Sequence, residues 1–263
     1  MNAEKVTNHI IQWLKNYTIS AKSKGFVIGI SGGIDSALTS TLCAKTGFPL
    51  LCLEMPIHQA SNQVSRAMNH IDWLQKSFQD VSLTQVNLTP VFDSLVDSFP
   101  PVDNEEMRFM TLANTRARLR MNSLYYFAAL NGYLVAGTGN KVEDFGIGFF
   151  TKHGDGGVDL SPIADLLKTE VYELAAYLGI HQEILNAAPT DGLWGDDRTD
   201  EDQIGASYPE LEWAMQMVDQ GNSSADFEGR QKEVFDIYKR LNTANKHKMV
   251  AIPVCEISES LKN

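Results

Sequence analysis

A chain of 263 residues, 43% of them hydrophobic, is long enough to bury the core of one large α/β domain. Its 22 Lys and Arg stand against 33 Asp and Glu, and the formal charge of −11 excludes broad binding to nucleic acid or to an anionic membrane. No apolar run reaches membrane length, the start of the chain has no signal-peptide pattern, and Cys43, Cys52 and Cys255 lack CxxC spacing, which together predict a cytoplasmic protein with reduced thiols.

In chain order, Val6, Ile10, Trp13, Leu14 and Tyr17 interleave with Glu4, Lys5, His9 and Lys15 as an amphipathic helix. Short apolar runs then alternate with stretches of helical period, the pattern of a doubly wound parallel sheet with helices on both faces. The predicted strands are 26–30, 50–55, 84–88 and 133–136. A helix carrying Val64, Ala67, Met68, Ile71, Leu74 and Phe78 on one side separates the second from the third. Before the fourth, Met107, Met110, Ala113, Ala117, Met121, Leu124 and Ala128 recur every three or four residues along an unusually long helix, a stripe read as core or subunit interface rather than a ligand-binding wall. From Gly137 the chain turns Gly-rich, a long loop of the functional kind, until a helix resumes near Lys168. The acidic run 196–202 reads as a helix start, because Thr199 with Asp202 fits an N-terminal capping pattern, and no chemistry is assigned to it. The expectation is one domain over residues 1–263.

The chemical signal lies at the end of the first strand, where Gly29, Ile30, Ser31, Gly32, Gly33, Ile34, Asp35 and Ser36 lead into a helix. A strand, turn and helix of this kind presents backbone N–H groups and the positive helix end to an anion, and the paired glycines let a phosphate approach closely. Ser31 and Ser36 add hydroxyl donors, and Asp35 offers an oxygen to a phosphate-bridging cation. Neither GxxxxGK[ST] nor GxGxxG is present, which argues against a Walker-type NTPase and a dinucleotide-binding Rossmann unit. A tight corner without a ligand is the structural alternative, and SGGxDS directly after a buried strand argues against it.

The loop resembles that of the ATP pyrophosphatases that cleave ATP to AMP and pyrophosphate. Further stretches make the resemblance one to the ammonia-dependent NAD synthetases. These are Asn114 to Met121, similar to an NxxARxRM helix; Gly137 to Glu143, followed by Phe149 to Asp159 and then Lys168; and Asn245 to Lys248. With the loop they span most of residues 25–248. The resemblance implies an adenine nucleotide alpha-hydrolase-like fold and carries over position by position. It makes Asp35 and Glu143 the Mg2+ ligands, acting in catalysis with Lys168. It makes Gly29 to Ser36, Thr138, Lys168 and Thr190 the contacts to the co-substrate ATP. Asn114, Arg118, Phe149, Lys152, Asp159, His247 and Lys248 become the contacts to deamido-NAD (nicotinic acid adenine dinucleotide). Two hard carboxylate ligands completed by phosphate oxygens suit magnesium, and the lysines and arginine offset the charge of an anionic acceptor.

Three departures from the family pattern stand out. The segment between Glu143 and Phe149 is one residue longer, Met249 stands where Arg often follows the His-Lys pair, and Glu54 to Gln59 replaces an RLPYG-like stretch, leaving Gln59 as the candidate adenine contact. The implied reaction adenylates the nicotinate carboxylate and then displaces AMP with ammonia. A chain of this length leaves no room for a glutamine amidohydrolase, so free or delivered ammonia is the expected donor. The resemblance also implies a two-fold homodimer across the Met107 to Ala128 stripe. The rival readings are another ligase of this superfamily, such as a GMP synthetase or a tRNA-modifying enzyme, and a nucleotide-binding regulator without turnover. The Arg118 and Lys152 motifs argue against the first, and the presence of both Asp35 and Glu143 argues against the second.

Overall fold

The computed structural model describes residues 1–59, 61–188 and 199–262. The chain runs through α1 (Ala3–Ser20), β1 (Phe26–Gly29), α2 (Ile34–Ala44), β2 (Leu50–Glu54), α3 (Ser61–Ser77), β3 (Val81–Gln85), α4 (Thr89–Asp97), α5 (Glu105–Asn131) and β4 (Leu134–Val135). A π-helix at Val142–Ile147 follows, then α6 (Lys168–Tyr177), α7 (Gln182–Leu185), α8 (Asp200–Ile204), α9 (Tyr208–Asp219) and α10 (Gly229–Met249). The strands form one parallel sheet in the order β3-β2-β1-β4, so the winding reverses between β1 and β4. In open α/β sheets that reversal opens a crevice at the carboxyl ends of the strands. The loop Ile30 to Gly33 leaves β1 at that point.

The two-residue period of the strands builds a core on each face. Phe26, Ile28, Leu50 and Cys52 pack with residues of α1, α2, α3 and α6, while Val27, Leu51 and Leu53 pack with α4 and α5. Both faces being covered explains why β1 and β2 read as continuous apolar runs. A third cluster joins Val142 and Ile147 of the π-helix to Tyr208, Leu211, Val234 and Tyr238, fastening α9 and α10 beside the crevice. Cys43 and Cys52 are buried and Cys255 is exposed. Among the described residues no helix is long and apolar enough to cross a membrane.

Two expectations need correction. The third strand lies at residues 81–85, three residues earlier than predicted. It sits at the sheet edge with no fully buried residue, so Val81 and Leu83 give a weak signal, whereas the apolar Val86 and Leu88 belong to its exit and hydrogen-bond to Glu54 and Pro56. The stripe on α5 is in part core, as expected, and in part a cavity wall, which was not expected. Met110, Ala113, Ala117, Met121 and Leu124 wall a cavity, with Ala128 in the core, so from Ala113 onward the stripe faces inward. The outward face of α5 carries Thr111, Arg118, Asn122, Tyr126, Ala129 and Leu130. Periodicity located the apolar face correctly but could not tell a core from a cavity lining.

Candidate active site

The crevice holds a cavity of about 570 Å³, of a size suited to a nucleotide-sized ligand, floored by Gly29 to Ser31 and Ser36 and walled by α5 and by Phe149 to Thr151. A smaller pocket of about 220 Å³ adjoins it, around Asp35, Thr138, Glu143 and Lys168.

The loop is held ready by its own hydroxyls. Gly33 N–H donates to Ser31 Oγ at 3.2 Å, Ser36 Oγ donates to the Gly33 carbonyl at 3.0 Å, and the two serine hydroxyls lie 3.1 Å apart. Gly32 adopts φ +81°, and a Cβ there would stand 2.8 Å from the Gln63 carbonyl, so both backbone conformation and space require glycine. Gly33 is the N-cap of α2 without a side-chain cap, which leaves first-turn N–H groups available to an anion.

Beside the loop, residues from four parts of the chain converge. Lys168, the first residue of α6 and only 3% exposed, donates from Nζ to Asp35 Oδ2 at 2.5 Å and to Glu143 Oε1 at 3.0 Å. Asn140 Nδ2 donates to Asp35 Oδ1 at 3.2 Å, while Asn140 Oδ1 accepts from the backbone N–H groups of Val142 and Glu143. Tyr208 donates its hydroxyl to Glu143 Oε1 at 2.5 Å, and its ring centroid lies 4.8 Å from Lys168 Nζ. Two carboxylates thus share one ammonium, and the cluster keeps one negative charge. Burial pushes both carboxyls up. At Glu143 this is outweighed by Lys168, Tyr208 and Asn140, which hold its pKa below the usual value, whereas at Asp35 burial together with Glu143 outweighs Lys168 and leaves the pKa raised. Burial also opposes the charge on Lys168, but the two acids prevail and raise its pKa. The Tyr208 phenol is pushed up by burial and then by Glu143 and Asp200, so it remains a donor.

The donor set fits a divalent cation. Two carboxylate oxygens already face one cationic group, and each carboxylate side chain keeps 17–19% of its surface accessible. Among the described residues no three or more His, Cys, Asp or Glu could enclose a metal by themselves, so phosphate oxygens would complete the shell.

The acceptor-side candidates also meet. Lys152 Nζ donates to the His247 carbonyl at 2.8 Å and Arg118 Nη2 to the Lys152 carbonyl at 3.4 Å. Lys248 Nζ donates to the carbonyls of Gly148 and Phe150, both at 2.9 Å. Thr151 Oγ1 donates to Asn114 Oδ1 at 2.6 Å, and a Cβ on Gly154 would stand 2.9 Å from the Ala117 Cβ, so the Gly-rich loop lies flush on α5. Asp159 is tied to the scaffold: its carboxylate accepts from the Tyr125 hydroxyl at 3.1 Å and from the Val135 N–H at 2.8 Å. Phe149 and Thr138 line both pockets. Gln59 has its amide engaged, accepting from Arg120 Nη2 at 2.8 Å and donating to Gln63 Oε1 at 2.6 Å, so contact with a base would require it to exchange a partner. Thr190 lies outside the described residues.

Sequence reasoning missed several groups. Arg120 lines the larger cavity and also donates to the Met55 carbonyl at 3.1 Å; burial, then Arg116, lower its pKa to about 10. The NxxARxRM match contained it, but no role was drawn from it. Asp144 has its pKa raised to about 8 by burial and then by Glu143, Asp155 and Asp35. Asp200, in the acidic run given no chemistry, lines the smaller pocket, and its Oδ2 lies 3.5 Å from the Tyr208 hydroxyl. Glu143 and Asp144 lie in the first turn of a π-helix, Val142–Ile147, a wider turn within the stretch expected to be loop.

A parallel sheet with a glycine-rich loop at its switch point and a lysine-bridged carboxylate pair beside it is the arrangement of an α/β protein built to receive a phosphate-bearing ligand. The NAD synthase family model matches residues 6–251, and the chain belongs to that family. It is 37% identical over 254 residues to the NH(3)-dependent NAD(+) synthetase of Carboxydothermus hydrogenoformans, covering 94% of this chain and 96% of that relative. To the enzyme of the same name from Methanosarcina acetivorans it is 36% identical, covering 98% of this chain and all of that relative. Among solved structures, NMN synthetase from Francisella tularensis superposes with a TM-score of 0.84 at 29% identity, over 98% of this chain and all of that one. The NH3-dependent NAD synthetase from Campylobacter jejuni has the same fold, with a TM-score of 0.78 at 24% identity over 97% of this chain and all of that one.

Proposed function

We propose that this chain is an ammonia-dependent NAD synthetase, a ligase that uses ATP to convert the nicotinate carboxylate of deamido-NAD into the amide. The observation that carries the reading is the joint one of a family match over residues 6–251 and a phosphate loop facing the Asp35, Glu143 and Lys168 cluster. A carboxylate oxygen of the acceptor attacks the α-phosphorus of ATP and the bond to pyrophosphate breaks. Ammonia then attacks the acyl carbon, AMP departs with the carboxylate oxygen, and the nitrogen loses a proton. Asp35 and Glu143 would hold Mg2+, which supplies neutralising charge on the phosphates. The loop amides and hydroxyls bind and orient the phosphates, and Lys168 lies where it can follow the departing charge; the site works by positioning and preorganised charge, without a covalent nucleophile. Arg118, Lys152, Asp159, His247 and Lys248, with Asn114 and Phe149, would hold the acceptor, and Thr138 and Gln59 would border the ATP. The cavity runs from the loop to Met110, itself 45% exposed, which supports an acceptor reaching beyond one chain. A homodimer through the outward face of α5 would complete the site.

A second acceptor has its own support: the Francisella tularensis structure with a TM-score of 0.84 is an NMN synthetase, so nicotinic acid mononucleotide is the competing substrate. The two are separated by kcat/KM. Deamido-NAD should be preferred by at least about tenfold, a difference of about 1.4 kcal/mol in transition-state binding. A preference for the mononucleotide would move the chain to NMN synthesis while leaving the chemistry as described.

A further inference from the structure

Among the described residues, Tyr208 touches both the cation and a carboxylate of the Asp35, Glu143 and Lys168 cluster while belonging to neither the sheet nor its loops. It sits at the first position of α9 and is 3% exposed. Several hydrogen bonds hold it there. Ser207 caps the helix, its N–H and hydroxyl both donating to Glu210 at 2.8 and 3.1 Å. Arg230 clamps the same Glu210 at 2.7 and 2.8 Å and reaches the Gly205 carbonyl at 3.1 Å. The Tyr208 N–H donates to Glu201 Oε1 at 2.8 Å. The start of α9 is therefore fixed by charge-assisted hydrogen bonds as well as by the packing of Leu211 and Val234.

The phenol has one proton and two acidic neighbours. Glu143 Oε1 at 2.5 Å takes it in preference to Asp200 Oδ2 at 3.5 Å. Lys168 also binds Oε1, so the hydrogen bonds from Lys168 and Tyr208 both fall on that one oxygen of Glu143. We propose that Tyr208 is a positioning residue for the reaction, its hydroxyl fixing the Glu143 carboxylate so that one oxygen is held by the protein and the other is presented to the divalent cation on ATP. The inference rests on Asp35 and Glu143 being the magnesium acids. The bond is a short charge-assisted one across a buried gap, and a freely rotating carboxylate would have to be ordered each time the cation arrived.

Tyr208→Phe deletes this hydroxyl and keeps the ring beside Lys168. The test measures Mn2+ binding by paramagnetic resonance in the presence of a non-reacting ATP analogue, together with the Mg2+ dependence of pyrophosphate release. In the variant the half-saturating metal concentration rises about tenfold, the scale of one lost hydrogen bond to a charged group. Binding of the analogue without metal and the melting temperature stay close to wild type. In a Glu143→Gln background, Tyr208→Phe causes no further loss of Mn2+ affinity, because there is no carboxylate left to orient; a merely structural tyrosine would weaken both backgrounds alike. Unchanged half-saturation in Tyr208→Phe, or a variant that unfolds, would overturn the proposal and leave the magnesium reading standing, provided Glu143→Gln still binds Mn2+ measurably more weakly than wild type. Absence of Mn2+ binding to the wild type with the analogue would overturn both.

Discussion

Lys168→Met removes the one cation that, among the described residues, bridges Asp35 and Glu143, and leaves two partly enclosed carboxylates facing each other. Breaking a buried ion pair by deleting one partner costs about 3 to 5 kcal/mol. Because Asp35 and Glu143 keep 19% and 17% of their surface accessible, water softens the repulsion and the low end, about 3 kcal/mol, applies. For a chain of this size that is a melting temperature lower by roughly 6 to 12 °C near pH 7. The sign with pH follows from linkage. In the variant a carboxyl of the pair has its folded-state pKa raised above its unfolded value, so the destabilisation is present at neutral pH and fades as pH falls toward the unfolded value and the shared charge is neutralised. Calorimetry at pH 7.5 and pH 5 checks both. Millimolar Mg2+ should also restore part of the lost stability in the variant, since a divalent ion can stand where the ammonium stood. A variant as stable as wild type at pH 7.5, or equally destabilised at both pH values, would refute this account of the cluster.

Asp35→Asn and Glu143→Gln should each lower adenylate formation by at least about a hundredfold, or about 2.7 kcal/mol of transition-state stabilisation, with the fold retained; pyrophosphate release at near wild-type rate in either would remove that acid from the metal site. Ammonium salts should support turnover by the purified chain and glutamine alone should not, with activity at fixed total ammonium rising with pH because only neutral ammonia has the attacking lone pair; efficient use of glutamine would refute this. Asp144, held at about 8 by burial and its acidic neighbours, costs stability above the unfolded carboxyl pKa, so Asp144→Asn should raise the melting temperature at pH 8 with a gain that disappears toward pH 4. An Asn variant equally stabilised at both pH values would show that the buried charge of Asp144 is not the cause.

Much of this site was legible because its residues lie in local motifs tied to local structure. Gly29 to Ser36 form a strand-to-helix turn, Asn140 and Glu143 flank one helical turn, and Lys168 opens α6. Apolar runs located β1 and β2 to within a residue because both sheet faces are covered. β3 was displaced because an edge strand of polar alternation carries less signal than the apolar exit that follows it. The stripe on α5 was read as core or interface without its cavity-lining part, since a cavity wall and a core have the same composition. Tyr208 was illegible for a different reason: it is 65 residues from Glu143 in sequence, and only the packing of α9 against the π-helix brings the two together.

The central claim is that this site activates the acid dinucleotide with ATP and transfers ammonia to it. The most direct measurement incubates the purified chain with ATP, Mg2+, ammonium and deamido-NAD and quantifies NAD, AMP and pyrophosphate together. The account predicts that the three appear in equal amounts and that omitting ammonium stops NAD formation. Release of ADP and phosphate in place of AMP and pyrophosphate, or consumption of ATP without amide formation from either deamido-NAD or nicotinic acid mononucleotide, would contradict it.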